Sequence, residues 1–172
     1  GLLKFMLEKK IVDAVLAVKR GQDIYDAVPT LVTDPAGIDE TAGSLHCGTL
    51  LLSKIVKKYL DGAGNKKIAM TVKGCDAMGL YELAKRQQVN LDNIVMIGVN
   101  CRGTVSPVMA RKMIKEKFGV DPDTVTKEEI DKGQFIIEYE GGHKGIKIDD
   151  LEDEGYGRRS NCRRCKMKVP RQ

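Results

Sequence analysis

The chain has 172 residues, of which 42% are hydrophobic, which is enough for one compact domain with a small appendage but too few for two full domains. Aromatic residues make up only 5% and Trp is absent, so we expect an aliphatic core without the aromatic stacking platforms of single-strand nucleic-acid binders. The formal net charge of +5 comes largely from the last fifteen residues, which form either a solvated tail or a site for an anion or partner.

The remaining bulk features concern location and thiol chemistry. No apolar run reaches the roughly 18 residues needed to span a bilayer and no signal peptide opens the chain, so we expect a cytoplasmic protein. The five cysteines are odd in number and irregularly spaced, which favours metal, cluster or redox use over disulfides. Neither end carries a helix start or stop signal, and this predicts a single α/β domain over residues 1–172 that is part of a longer chain.

The first sixty residues alternate between helical and strand patterns. Apolar spacing predicts a helix over residues 1–10, a buried strand over 11–18 and a second strand over 24–33. Pro29 inside the second strand indicates a sheet edge or a bulge. A short helix is predicted over 36–42, and an amphipathic helix begins at Thr49 and ends at Gly62.

A loop of small residues precedes that amphipathic helix. Backbone N–H groups exposed at a helix start can bind phosphate, so Gly43 and Ser44 are candidate phosphate contacts. The alternative is an ordinary helix start, because the full dinucleotide fingerprint is missing. His46, beside Cys47 in the same loop, is either a ligand contact or a packing residue.

Two consecutive units then repeat one plan of strand, turn and helix. Each unit places a cysteine directly after its strand, Cys75 in the first and Cys101 in the second. Because the carboxyl ends of adjacent parallel strands lie side by side, both thiols should share one rim of the sheet, where ligands bind in such folds. The predicted elements are the strand 67–72 with the helix 77–88, and the strand 93–99 with the helix 106–118.

The last part of the chain completes an α/β fold class. We expect a mostly parallel or mixed sheet flanked by helices, with a peripheral β-hairpin and a cysteine-bearing C-terminal loop. Residues 126–129 resemble a short capped helix, and the hairpin consists of strands 134–140 and 144–148 around a Gly-Gly turn. An acidic connector over 151–157 then delivers the chain to Cys162.

Cys162 and Cys165 form a C-x-x-C pair within a basic run, which places both sulfurs on one side of a tight turn. The neighbouring Arg163, Arg164 and Lys166 favour the thiolate. With Cys75 and Cys101 the pair makes a four-thiolate set suited to a [4Fe–4S] cluster or a structural zinc.

Two ligands that come singly from a sheet rim favour the cluster over a zinc ribbon; free thiols are a third alternative. Cys47 is either a substitute ligand or an unrelated buried cysteine.

Three segments of the chain carry recognisable motifs. They are Val72 to Leu80 around Cys75, Ile97 to Gly103 around Cys101, and Asn161 to Cys165. Taken in order with their spacing, they resemble signature segments of the coenzyme F420 hydrogenase/dehydrogenase beta-subunit family, within it most of all the formate dehydrogenase branch. Residues 1–44 also resemble the amino-terminal half of that family.

The resemblance implies a subunit that passes electrons through a [4Fe–4S] cluster and FAD to coenzyme F420 as substrate. Its implied partner is the catalytic alpha subunit of a formate dehydrogenase or hydrogenase, within a larger electron-transfer complex, with no nucleic acid and no membrane span. No catalytic acid, base or nucleophile is expected, because the cofactors carry the chemistry. The residues expected to contact flavin or coenzyme are Gly43, Ser44, His46, Lys73, Gly74, Arg102, Arg163 and Arg164. The alternative reading is a zinc-stapled basic module that binds nucleic acid without enzyme activity.

Overall fold

The computed structural model describes residues 1–48 and 50–170, and it contains two β-sheets with helices around them. The larger sheet has four strands in the order β2-β1-β3-β4, in which β1 pairs antiparallel with β2 and parallel with β3, and β3 pairs parallel with β4. The strands are β1 (Ala14–Arg20), β2 (Ala27–Val32), β3 (Ile68–Val72) and β4 (Ile94–Gly98). The expected α/β class with a mixed sheet is therefore confirmed.

Alternation along β1 explains why this sheet is covered on both faces. Ala14 and Leu16 pack into one apolar cluster, whereas Val15 and Ala17 pack into another, as expected for side chains that point to opposite faces in turn. Pro29 lies on β2, which is an edge strand, so its lack of an N–H removes no bond in the sheet interior; the predicted edge position is confirmed.

Helices cover the two faces of the four-stranded sheet. On one face lie α2 (Leu52–Tyr59) and α3 (Gly74–Lys85), and on the other lie α1 (Leu2–Glu8) and a 3-10 helix (Pro35–Thr41). The predicted start of the amphipathic helix, Thr49, lies outside the described residues. Short 3-10 turns occur at Asp61–Ala63, Leu91–Asn93 and Pro122–Thr124.

The smaller sheet corrects one prediction. It is antiparallel in the order β5-β6-β7, with β5 (Val125–Asp131), β6 (Gln134–Tyr139) and β7 (Gly142–Lys147). The short helix predicted over residues 126–129 is wrong, because this stretch is strand β5, paired with β6 through residues Val125 to Asp131. Local capping residues favoured a helix, and pairing with a distant strand outweighed them.

The hairpin of β6 and β7 lies outside the four-stranded sheet, as predicted, and it has a core of its own. Phe135 and Ile137 on β6 are completely buried, and they share a core with Met113 and Ile114. These last two belong to the helical segment α4 (Pro107–Met113), which continues as a wider π-helical turn (Ile114–Phe118) before Gly119 ends it at a φ of 63°. The smaller sheet and α4 therefore form a second hydrophobic core beside the first.

The C-terminal part adds two short helices, α5 (Ile148–Asp153) and α6 (Ser160–Arg163). The predicted acidic connector is thus helical at its beginning, while its remainder leads to the thiol pair. No helix in the described part of the chain is long and apolar enough to cross a membrane.

Candidate functional site

The four predicted ligand cysteines line one cavity of about 440 Å³, which we call the thiol cavity. All five cysteines of the chain are free thiols. Besides Cys75, Cys101, Cys162 and Cys165, the lining consists of Leu50, Leu51, Lys73, Gly74, Gly103, Thr104, Arg159, Asn161, Met167 and Lys168. The structure therefore brings together thiols that are up to 90 residues apart in the chain.

The fold explains this convergence. Cys75 lies in the first turn of α3, directly after β3, and Cys101 follows β4. Because β3 and β4 are adjacent and parallel, both thiols lie at one rim of the sheet, as predicted. Cys162 lies in α6, and the N–H of Cys165 donates to the carbonyl of Cys162 over 3.3 Å, which closes the turn of the C-x-x-C pair.

The segment after Cys165 is held against the rim by close backbone contacts. The N–H of Cys101 donates to the carbonyl of Lys168 over 2.8 Å. A Cβ added at Gly74 would lie 1.9 Å from the carbonyl oxygen of Met167, so only glycine allows the chain to pass this closely. Gly74 therefore lines the thiol cavity and shapes it through the missing side chain.

Buried charges fix the loop that carries Cys162. Glu152, whose side chain is only 6% exposed, accepts from Arg158 Nε over 2.6 Å and from Arg158 Nη2 over 3.1 Å, and it pairs with Arg163 Nε at 3.1 Å. Burial acts to raise the pKa of Glu152, but the hydrogen bonds and charges of Arg158 and Arg163 outweigh it and lower the pKa. Gly103 lies next to these charged side chains, since a Cβ added to it would be 2.5 Å from Arg158 Cδ, and its φ is +113°.

A second buried carboxylate organises the Cys75 side of the cavity. Asp76 is fully buried and accepts from the backbone N–H groups of Leu52, at 2.6 Å, and Lys73, at 3.3 Å. The Lys73 ammonium lies 2.5 Å from Asp76 and also donates to the carbonyl of Leu50 over 3.0 Å. Asp76 thus ties the starts of α2 and α3 together and neutralises Lys73.

The protein environment of Cys75 opposes ionisation of its thiol. Burial is the largest influence that raises the pKa of Cys75, the Asp76 charge adds to it, and the nearby Lys73 ammonium opposes it. Since the thiolate is the ligand form, metal binding would release this proton. Cys47 differs from Cys75 in its position, because it is completely buried in the second core. Burial raises the pKa of Cys47 well above the usual value.

The spacing of the thiols bears on what they could hold. Among residues 1–48 and 50–170, no three Cys, His, Asp or Glu side chains form a group that could hold a single metal ion. A [4Fe–4S] cluster is a cage that takes one thiolate at each of four corners, so its ligands stand farther apart than those of one ion. The four thiols that line the cavity match the number of ligands that either a [4Fe–4S] cluster or a structural zinc requires.

A second cavity of about 500 Å³, which we call the loop cavity, is lined by four of the eight residues expected to contact flavin or coenzyme. Its lining residues are Val18, Arg20, Ile24, Ala42, Gly43, Ser44, Leu45, His46, Asn100, Arg102, Thr126, Lys127, Glu128, Glu129, Ile130 and Asp131. Gly43, Ser44, His46 and Arg102 are therefore brought to one site. Its volume falls within the range of about 300–1,000 Å³ found for ligand pockets.

The loop cavity differs from expectation in the source of its backbone donors. Gly43 and Ser44 do not lie at a helix start, because α2 begins only at Leu52. The first N–H groups of α2, those of Leu52 and Ser53, already donate to Asp76. Any phosphate contact at Gly43 and Ser44 would depend on loop N–H groups without the support of a helix dipole.

Sequence reasoning missed Glu128, which holds the loop in place. Its side chain is fully buried on β5, and it accepts from the backbone N–H groups of His46 and of Cys47, the latter over 3.1 Å. Its second oxygen lies 3.2 Å from His46 Nδ1. This role of Glu128 is not apparent from the sequence, because the pattern of residues 126–129 predicts a helix. A helix would place Glu128 on a solvated surface, whereas strand β5 places it against the loop.

The segment after β4 separates the two cavities. Asn100 and Arg102 line the loop cavity, whereas Cys101 and Gly103 line the thiol cavity. Successive residues thus serve opposite sides of one short stretch of chain. Residues 100–103 therefore contribute to the lining of both cavities.

The four predicted basic contacts are divided among three places. Arg102 lines the loop cavity, where its Nη1 lies 2.5 Å from Asp131 Oδ1. Lys73 lines the thiol cavity, and Arg163 and Arg164 are part of the lining of neither. The structure therefore does not bring these four basic residues to one cavity, and their contacts with flavin or coenzyme stay predictions.

Comparison with known proteins agrees with the expected resemblance. Two family profiles described as "Coenzyme F420 hydrogenase/dehydrogenase, beta subunit" match the chain, the N-terminal profile over residues 1–57 and the C-terminal profile over residues 65–172. A chain in the structure of the F420-reducing [NiFe] hydrogenase complex from Methanosarcina barkeri superposes with a TM-score of 0.75 at 17% identity, covering 95% of this chain and 56% of that chain; this shows a shared fold.

Two curated relatives are similar over 99% of this chain. It is 54% identical to the F420-dependent formate dehydrogenase subunit beta of Methanocaldococcus jannaschii, covering 45% of that protein. It is 56% identical to the F420-dependent formate dehydrogenase 1 subunit beta of Methanococcus maripaludis, covering 44%. The chain thus spans less than half the length of these relatives. With profile matches over both parts of the sequence, the chain belongs to the coenzyme F420 hydrogenase/dehydrogenase beta-subunit family.

Proposed function

We propose that the chain is the electron-transferring part of an F420-dependent oxidoreductase subunit, with a [4Fe–4S] cluster in the thiol cavity and FAD in the loop cavity. The observation that carries the proposal is the segment 100–103, whose alternate residues line the two cavities. A cluster and a flavin held on either side of it would be separated by little more than the backbone. Such proximity favours electron transfer between them.

The cofactors would supply the redox chemistry, since a cluster moves single electrons and a flavin converts them to the two-electron hydride that a deazaflavin accepts. The chain supplies position and charge. Cys75, Cys101, Cys162 and Cys165 would hold the cluster as thiolates. Loop residues Gly43 and Ser44 would contact the FAD phosphates, beside His46 in the position that Glu128 fixes.

Charge at the loop cavity suits an anionic coenzyme only in part. Arg102 contributes a guanidinium, but Asp131 pairs with it at 2.5 Å. An incoming phosphate or carboxylate would compete with Asp131 for the same donors, because Arg binds both groups through the same planar fork. Of the four basic residues considered from the sequence, Arg102 is therefore the one that the geometry favours for the tail of coenzyme F420.

By similarity to formate dehydrogenase beta subunits, the electron donor would be the catalytic subunit of a formate dehydrogenase, with a hydrogenase as the second candidate. This protein would then be one component of an enzyme complex. The complex would oxidise its substrate at a distant site and reduce coenzyme F420 here.

Anaerobic purification tests the proposal directly. We expect a visible spectrum with a flavin band and a broad iron–sulfur absorbance. Replacing any of the four cavity cysteines by Ser should remove most of the iron and sulfide, whereas Cys47→Ser, in a thiol buried in the second core, should not. A colourless protein that contains zinc would overturn the proposal and favour the binding-module alternative.

The Ser44→Glu variant tests the flavin site independently of the cluster site. It places a negative charge where the FAD phosphates are proposed to lie, so flavin content should fall while iron content stays at the level of the unmodified protein. Ser160→Glu is the matched control, because Ser160 begins α6 and is not part of the lining of the loop cavity. Unchanged flavin content in Ser44→Glu would place the flavin elsewhere.

A further inference from the structure

The residues directly after Cys101 form a support for the loop that carries Cys162. Arg159 donates its backbone N–H to the carbonyl of Thr104 over 2.8 Å. Arg158 Nη1 lies 3.5 Å from the carbonyl of Arg102, and an added Cβ at Gly103 would lie 3.5 Å from the Cβ of Cys162. One ligand segment of the thiol cavity is thus built on the other.

The side chain of Thr104 reaches the sulfur itself. Its Oγ1 lies 3.5 Å from the Sγ of Cys162, within hydrogen-bonding distance for sulfur, and Thr104 is only 8% exposed. Either atom could donate while Cys162 is a thiol. Once the sulfur is a thiolate bound to a metal it has no proton to give, so the hydroxyl must be the donor.

The surrounding contacts hold this geometry. Glu152 fixes Arg158 through two side-chain hydrogen bonds and accepts the backbone N–H of Arg158 over 3.2 Å. The N–H of Cys162 donates to the carbonyl of Arg159 over 2.8 Å. With the Arg159–Thr104 bond, these contacts leave the Cys162 sulfur little freedom to move away from the Thr104 hydroxyl.

We propose that Thr104 is a positioning residue that donates a hydrogen bond to the Cys162 thiolate and thereby raises the reduction potential of the bound cluster. The inference rests on the proposed function, because it requires a cluster in the thiol cavity. Reduction adds one electron to the cluster without breaking a bond, so the sulfur becomes a stronger acceptor. A donor aimed at that sulfur therefore stabilises the reduced form more than the oxidised form.

The test is a redox titration of the full-length protein isolated anaerobically, with the cluster followed by its absorbance and by electron paramagnetic resonance. Thr104→Val keeps the shape and removes the hydroxyl, while Thr104→Ser keeps the hydroxyl and is the matched control. We expect Thr104→Val to retain its iron and to lower the ratio of reduced to oxidised cluster at a fixed potential by up to about tenfold, a shift of about 59 mV for a one-electron couple. Thr104→Ser should titrate like the unmodified protein.

The outcomes separate this inference from the proposed function. An unmodified protein without iron and sulfide would refute the proposed function and the inference together. A protein that holds a cluster, with Thr104→Val at an unchanged potential, would refute the inference alone. A Thr104→Val protein that loses its iron while Thr104→Ser keeps it would show that the hydroxyl is needed for assembly and would overturn the role in setting the potential.

Discussion

Substituting Gly74 by Ala sets helix propensity against a specific close contact. Gly74 is the first residue of α3, and the helix-interior preference for Ala over Gly, about 0.8–1.0 kcal/mol, is the most that propensity would contribute there. The added Cβ would lie 1.9 Å from the Met167 carbonyl oxygen, about 1.5 Å short of ordinary van der Waals contact. Because the obstacle is backbone, the C-terminal segment must move as a whole.

The energetic cost of that movement decides whether Gly74→Ala raises or lowers the free energy of unfolding. Overpacking costs about 1–3 kcal/mol, and the Cys101–Lys168 hydrogen bond, worth about 1 kcal/mol, would be weakened as well. Together these exceed the propensity gain, so we expect Gly74→Ala to lower the free energy of unfolding by about 1–3 kcal/mol. The moving segment begins at Cys165, so iron content should fall with it.

The assay is chemical unfolding followed by circular dichroism, together with iron analysis of anaerobically purified protein. Gly64→Ala is the matched control, because Gly64 has helical dihedral angles and an added Cβ would make only ordinary contacts. We expect this control to be unchanged or slightly stabilised, by about 0.4–1 kcal/mol. A Gly74→Ala protein with full iron and undiminished stability would refute the reasoning about the close approach of the C-terminal segment.

Three further predictions concern charged residues and the buried thiol. Arg102→Ala should raise the Michaelis constant for coenzyme F420 several-fold with iron content unchanged, whereas Arg164→Ala, outside the lining of both cavities, should leave the Michaelis constant unchanged. Equal effects of the two variants would contradict the assignment of Arg102 to the coenzyme. The folded-state pKa of Glu152 is lowered, so its ionised form stabilises the fold above the unfolded pKa of about 4.3, and this stabilisation is lost as pH falls through the folded-state pKa. In Glu152→Gln, the free energy of unfolding measured against pH should lack that loss, and curves parallel to those of the unmodified protein would contradict the prediction. Cys47→Ala should reduce stability by a fraction of a kcal/mol to about 2 kcal/mol without loss of iron, and iron loss would make Cys47 a ligand.

The convergence of the thiols could be predicted because it depends on local patterns and one rule of topology. Each strand-turn-helix unit is visible in its own residues, and parallel order then brings Cys75 and Cys101 to one rim. The C-x-x-C spacing likewise predicts that the sulfurs of Cys162 and Cys165 lie on one side of a tight turn. The loop with Gly43 and Ser44 is recognisable from its small residues, although its distance from the next helix is not.

The remaining features depend on contacts between distant parts of the chain. The pattern of strand β5 predicts a helix because its capping residues are local, while its partner β6 and the core beneath it are not. Glu128 and Asp76 look like surface carboxylates in the sequence, yet each is buried because a separate loop or helix supplies N–H donors. Thr104 gives no sequence signal, since its role depends on Cys162, 58 residues later.

A redox cluster in the thiol cavity, beside a flavin, would add its own electron to those that the flavin accepts. Anaerobic titration with dithionite counts the electrons that the protein accepts, and the double variant Cys162→Ala/Cys165→Ala removes two of the proposed ligands. We predict that this variant accepts about one electron fewer per chain than the unmodified protein while its flavin still bleaches with about two, and that Cys47→Ala accepts the full number. Equal electron uptake by the double variant and the unmodified protein would contradict a cluster at this site.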